Sequence, residues 1–199
     1  MRRNIIVSAI LSLALLAGAV SALEIGDKMP SADAQLKNID GKTHVLGDLK
    51  GEKGTLIVFT CVHCPVVQAA QDRMVKLGNK YSEKGIGVVF INANDPKVYA
   101  GDGLEGMQAQ AEKQGYKFPY LVDDGSKVAR AFGAQRTPEM FLFDSAGKLA
   151  YHGTIDDSPM KAEQVKKHYL RDALAAVAAG EDVAHKQSRA VGCSIKFYK

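Results

Sequence analysis

Two cysteines stand three positions apart in the stretch FTCVHCPVV, residues 59–67, with His63 between them and Pro65 directly behind. A thiolate is the nucleophile in disulfide exchange, and this spacing puts a second sulfur close enough to attack the mixed disulfide formed on the first. On that reading Cys61 attacks and Cys64 resolves. His63, an imidazole that changes charge near neutral pH, is expected to favour the thiolate and make the disulfide more oxidising. Two other uses of the pair compete. A structural disulfide across so small a loop constrains the unfolded chain least. A zinc or copper site draws on about four ligands. No second C-x-x-C or paired histidine supplies them, so Cys61, Cys64, Cys193 and one histidine are the set that could assemble such a site.

The flanking residues must position those sulfurs. TLIVFT, residues 55–60, is a continuous apolar, β-rich run, the mark of a strand buried on both faces. Residues 65–83 place Val66, Val67, Ala70, Met74, Leu77 and Tyr81 on one helical face. A strand feeding a helix N-terminus offers free backbone N–H groups and the positive end of the helix dipole to a thiolate. Pro65 suits the first helical position, which would make Cys64 the cap. A start one turn earlier, with Cys61 at the cap, is the one expected, because the attacking sulfur gains the helix end.

Elsewhere, AQLKNIDGKTHVL reads as two short strands around the turn Asp40-Gly41. GIGVVFINAN reads as a second buried strand, residues 104–114 as a helix ended by Gly115, FPYLVD as a short strand, and 126–132 as a short helix. EMFLFDS and GKLAYHG make a hairpin, and 160–179 a last long helix closed by Gly180. Asp123-Asp124 reads as turn and cap chemistry, and Asp156-Asp157 as a cap for the final helix region or, second, a cation site. The pattern is α/β: a central mixed sheet flanked by helices, with an N-terminal β-hairpin extension.

The first residues read as an address. Arg2 and Arg3 precede the apolar run NIIVSAILSLALLAGAV, and Val20-Ser21-Ala22 has the small-residue pattern of a signal-peptidase site. Residues 1–22 are therefore expected to be a cleaved secretory signal, leaving no stable membrane span and a periplasmic or secreted protein. With 26 basic and 22 acidic residues, and two of the basic ones in the leader, the mature chain is nearly balanced. That argues against nucleic acid as a partner. An oxidising compartment pairs cysteines, and three cannot all pair internally, so Cys193 is left over or joins the chemistry. The stretch from Gly180 to Cys193 can extend up to ~40 Å, which brings the dithiol within reach.

TPEMFLFDSAGKLAYHG, following a strand that ends in C-x-x-C and a long helix, resembles the thioredoxin fold. INANDP, FPYLVDDGSKVARAFGAQRTPEMFLFDSAGKLAYHGTIDDS and the terminal VGCSIKF narrow the resemblance to the peroxiredoxin-like redoxins, a branch related to the alkyl hydroperoxide reductase and thiol-specific antioxidant group. It covers residues 24–199. The resemblance implies that Thr137 and Pro138 form a cis-proline turn facing the dithiol and shaping the substrate groove. It also implies that GCSIK docks at a definite place. Relatives carry a cysteine just before Thr-Pro. Here Arg136 stands instead, a positive charge expected to favour thiolate. Glu139, just after Pro138, is a candidate for tuning the site or taking a proton. The pattern P-x-x-x-T-x-x-C that marks a peroxide-attacking cysteine surrounds neither Cys61 nor Cys64.

The expected protein is an exported thiol–disulfide oxidoreductase of one domain, residues 23–182, with a tail, 183–199, carrying the candidate third thiol Cys193. It needs no cofactor and no resident metal. Its expected partners are protein thiols or disulfides and a membrane or periplasmic redox protein. A thiol peroxidase is one alternative. A metal-binding or metal-delivery protein using Cys61, Cys64 and Cys193 is the other.

Overall fold

Alternation along three strands builds two cores from one sheet. On β3 (Gly54–Thr60), Leu56 and Val58 face one side while Ile57 and Phe59 face the other. β4 (Ile86–Asn92) and β7 (Glu139–Asp144) repeat the division: Val88, Phe90, Met140 and Leu142 on the first face, Val89, Ile91, Phe141 and Phe143 on the second. A strand with apolar residues at every position needs cover on both faces, and helices provide it. The computed structural model describes residues 23–199, so the expected signal over residues 1–22 lies outside the described residues.

The seven-stranded sheet has the order β2-β1-β5-β4-β3-β7-β8, with β1 (Gln35–Asn38), β2 (Thr43–Val45), β5 (Tyr120–Val122) and β8 (Leu149–Gly153) completing it. β3, β4 and β5 run parallel, and β7 runs antiparallel to both β3 and β8. Parallel neighbours require crossovers. α1 (Pro65–Ser82) links β3 to β4, and α2 (Leu104–Gln114) links β4 to β5. α1, α2 and α4 (Tyr169–Ala179) cover the first face with Val67, Ala70, Met74, Met107, Leu170 and Leu174. α3 (Lys127–Phe132) covers the second. There Phe132 meets Phe59 and Phe141 edge-on, with ring centroids 5.3 Å away in both cases. The β1–β2 hairpin turns at Gly41, whose φ of 86° is one that glycine adopts without strain.

The last helix is shorter than its pattern suggests. The expected span 160–179 begins only at Tyr169, because residues 157–168 are held in a loop. Asp157 accepts the backbone N–H groups of Lys166 and Lys167, and Arg73 donates to the carbonyls of Ser158 and Pro159. Those long-range bonds outcompete local helix propensity. Asp123 does cap as expected, accepting N–H groups from Val128 and Ala129 at the start of α3.

Residues 183–199 run back across the sheet end. Ser188 Oγ meets Tyr151 Oη at 2.7 Å, Val183 and Ile195 are buried, and Arg130 lies over the Phe197 ring. A second, two-stranded sheet pairs β6 (Arg136–Thr137) antiparallel with β9 (Cys193–Ser194).

Candidate active site

Helix α1 begins at Pro65, not one turn earlier, which corrects the expected start. Cys64 occupies the N-cap with extended backbone angles, and Pro65 takes the first helical position. Proline has no N–H to lose there and its φ is already helical. An earlier start would have left a break in the helix at residue 65. Cys64, rather than Cys61, therefore stands at the positive helix end.

The electrostatics follow that placement. Both cysteines are fully buried. The Cys64 thiol is drawn down to about 4. The Cys61 thiol donates to its sulfur, and burial is opposed further by the Cys193 thiol and the backbone N–H groups of Val67 and Cys193. Cys61 is pushed far up by the same shared hydrogen bond, by burial and by the negative Asp102, against the Thr137 hydroxyl. Cys61 Sγ lies 3.3 Å from Thr137 Oγ1. When protonated, Cys64 donates to the Thr137 carbonyl at 3.1 Å. The two thiols are electrostatically coupled, and the donors around Cys64 favour its thiolate.

Asp102 is the residue the sequence reading passed over. It is buried, yet its carboxylate reaches the two residues inside the C-x-x-C. Oδ1 accepts the N–H groups of Val62 at 2.8 Å and His63 at 3.1 Å, while Oδ2 meets His63 Nδ1 at 2.5 Å and Asn94 Nδ2 at 2.8 Å. A carboxylate with all its partners satisfied can be buried. The His63 ring also stacks on Tyr99, with centroids 4.3 Å apart. Among the described residues, Cys61, His63 and Asp102 form the one His/Cys/Asp/Glu group whose ligand atoms all lie within 4.8 Å of one another. A metal ion there would have to displace hydrogen bonds from Asp102. The three sulfurs do not make such a group.

The Thr137-Pro138 peptide is cis, and Thr137 touches both sulfurs of the C-x-x-C. The other three sequence candidates act around that turn. Glu139 Oε2 accepts the N–H groups of Gln135 and Arg136, each at 2.8 Å, and Oε1 meets His152 Nε2 at 2.7 Å. Its carboxylate holds the loop before the cis bond instead of facing sulfur. Arg136 is exposed, and its Nη1 approaches the Gly192 carbonyl at 3.4 Å and Ser194 Oγ at 3.3 Å. Cys193 sits opposite Thr137 in the β6–β9 pair. Its thiol is pushed up to about 11 by burial and by the neighbouring Cys64, with Lys196 and Arg136 pulling the other way.

A dithiol at a helix N-terminus, facing a cis-proline turn on a mixed sheet covered on both faces, defines the thioredoxin-like class. The chain belongs to the Redoxin family, whose model matches residues 24–168. An uncharacterized conserved protein from Geobacillus kaustophilus has a similar structure, with a TM-score of 0.82 and 40% identity over 88% of this chain and 93% of that one. The thioredoxin domain of a thiol-disulfide oxidoreductase from Bacteroides vulgatus shares the fold, with a TM-score of 0.57 and 19% identity over 70% of this chain and 94% of that one. Thiol-disulfide oxidoreductase ResA from Geobacillus thermodenitrificans is 28% identical over 148 residues, 74% of this chain and 78% of that protein. For ResA of Halalkalibacterium halodurans the same identity runs over 114 residues, 57% of this chain and 60% of the relative, less than two thirds of its length.

Proposed function

We propose that this protein is an exported thiol–disulfide oxidoreductase in which Cys61 and Cys64 cycle between dithiol and disulfide on protein substrates. One observation carries the reading: a buried cysteine pair stands at the start of α1 with Thr137 of the cis-proline turn in contact with both sulfurs. The names of the ResA relatives support the same activity. In this proposal Cys61 supplies the attacking sulfur and Cys64 resolves the mixed disulfide and closes the pair. Thr137 and Pro138 shape the groove, while Glu139 holds the loop before it. His63, tied to Asp102, sets the shape of the C-x-x-C loop. Arg136 places charge beside Cys193. Donors that stabilise the reduced thiolate make the disulfide more oxidising.

Export rests on the leader-like residues 1–22. Among the described residues no helix is long and apolar enough to cross a membrane. In that compartment the protein would exchange electrons with protein thiols and with a membrane or periplasmic redox partner.

The test is a redox titration in glutathione buffers, with the state of each cysteine read by alkylation and peptide mass spectrometry. Joint interconversion of Cys61 and Cys64 is the expected result. A pair that stays reduced across the whole range would sink the proposal. Consumption of hydrogen peroxide without exchange would replace it with a thiol peroxidase.

A further inference from the structure

α1 and α2 bury apolar side chains against the first face of the sheet, among them Val67, Met74, Met107 and Ala111. Beside that contact the two helices present amides instead. Gln68 and Gln71 stand three positions apart on α1, and Gln110 and Gln114 four apart on α2, so each pair shares a helical face. All four line one cleft of about 630 Å³, together with Val62, the residue that follows Cys61.

Two of these amides are buried, Gln71 at 4% exposure and Gln110 at 9%. A buried amide is costly unless its donors and acceptors are used. Gln71 is engaged at both ends: Nε2 donates to Tyr116 Oη at 3.1 Å, and Oε1 accepts Gln110 Nε2 at 3.3 Å. Gln110 Nε2 also donates to the Cys61 carbonyl at 3.3 Å, and Gln68 Nε2 to the Val62 carbonyl at 3.1 Å. With oxygen acceptors on both sides of its nitrogen, Gln110 has to turn its own oxygen away from them. Among the described residues that Oε1 has no hydrogen-bond partner. It is closed to bulk water, so the donor that completes it has to arrive on a group seated in the cleft.

The rest of the lining says what that group is. Among the described residues that line the cleft, Lys113 is the one that carries a charge, which suits a neutral polar ligand and not a phosphate. Glutamine carries the same donor and acceptor as a peptide unit, so amides on two facing helices match a chain of amides. Gly101 and Gly106 add bare backbone. A Cβ on Gly106 would lie 2.0 Å from the Gly101 carbonyl oxygen, and without one a second backbone can approach closely.

We propose that the α1–α2 cleft holds the polypeptide next to the reacting cysteine of a protein substrate, with Gln110 Oε1 accepting a backbone N–H. This inference rests on the oxidoreductase reading above and names what the site reads besides sulfur, an extended stretch of chain. Seating is tied to the dithiol, because the Gln110 amide that meets the substrate also holds the Cys61 carbonyl. The cleft is separate from the cis-proline turn, which contributes no residue to its lining.

The test uses the full chain and two disulfides, insulin and hydroxyethyl disulfide, which has no amide. Gln110→Leu removes the unpaired acceptor. Ala109→Trp narrows the cleft from an exposed position and removes none of the glutamine amides. In both variants the ratio of the insulin rate to the hydroxyethyl disulfide rate should fall at least about fivefold, the equivalent of one ordinary hydrogen bond, through a raised KM for insulin. A second readout needs no redox chemistry. On the isotopically labelled chain, a blocked, cysteine-free peptide of serine, glycine and alanine should shift the side-chain amide NMR signals of Gln71 and Gln110, and Ala109→Trp should abolish the shift. Equal slowing with both disulfides would mean that these residues only support the fold, and overturns the inference alone. So does a peptide that leaves both signals unmoved. If the wild type exchanges with neither disulfide, the oxidoreductase reading falls and this one with it.

Discussion

The Cys61–Cys64 pair is the chemical centre of the molecule, and its protonation is testable one side chain at a time. The hydrogen bond from Cys61 is the largest influence lowering Cys64. Cys61→Ala should therefore raise the pH at which thiolate absorbance at 240 nm appears by about one unit or more, a tenfold loss of acidity. An unchanged midpoint would mean that the helix end and the Cys193 donors alone hold the charge. Asp102 offers a second test. Asp102→Ala leaves the Val62 and His63 N–H groups and Asn94 Nδ2 without their acceptor in a buried site. The expected loss is about 2–4 kcal/mol in chemical denaturation. Asp102→Asn keeps one acceptor oxygen and should lose less.

At the scale of elements, the β6–β9 pair connects the ends of the described chain's last third to the site. The approach is close enough that one methyl group interferes with it. Gly192→Ala should push β9 from the Thr137 backbone at a cost of about 1–3 kcal/mol, the usual range for overpacking. The readouts are faster alkylation of Cys193 and faster proteolysis within residues 181–192, with the core intact by circular dichroism. Unchanged protection would show that residues 183–199 are held by Ile195 and Phe197 rather than by β9. α1 illustrates the other side of local control. Its first residue is set by Pro65, which leaves Cys64 at the cap.

The whole molecule responds through the sheet and through pH. Phe132 fills the face opposite the dithiol against Phe59, Phe141 and Phe143. Phe132→Ala should cost about 3–5 kcal/mol while leaving the thiolate signature in place, since α3 touches neither sulfur. Global stability should also depend on redox state and pH together. The native Cys64 value lies below its unfolded value, so its contribution is complete above the ordinary thiol range and is lost as pH falls through about 4. The disulfide form has no such group. The melting temperature of the reduced protein, relative to the oxidised one, should therefore rise between pH 5 and pH 8. A flat difference would contradict a lowered Cys64. Above the usual thiol range, the raised Cys61 and Cys193 work in the opposite direction.

Much of this was legible in the sequence, because it rests on local signals. Alternating and continuous apolar runs mark β3, β4 and β7, glycines end α2 and α4, and the C-x-x-C followed by Thr-Pro marks the site. Residues 160–168 misled because their apolar spacing is helical, while Asp157 and Arg73 bind that backbone from elsewhere. Asp102 carries no local sign of its role: it lies about forty positions from Val62 and His63 and reads as an acid in a loop. The donors from Cys193 around Cys64 were likewise hidden, because they come from far along the chain. The sequence by itself determined the elements and the chemistry available, since propensity and periodicity act over a few residues. Only the tertiary structure decided which side chains meet, because packing brings Asp102, Thr137 and Cys193 around the two sulfurs and buries them there together.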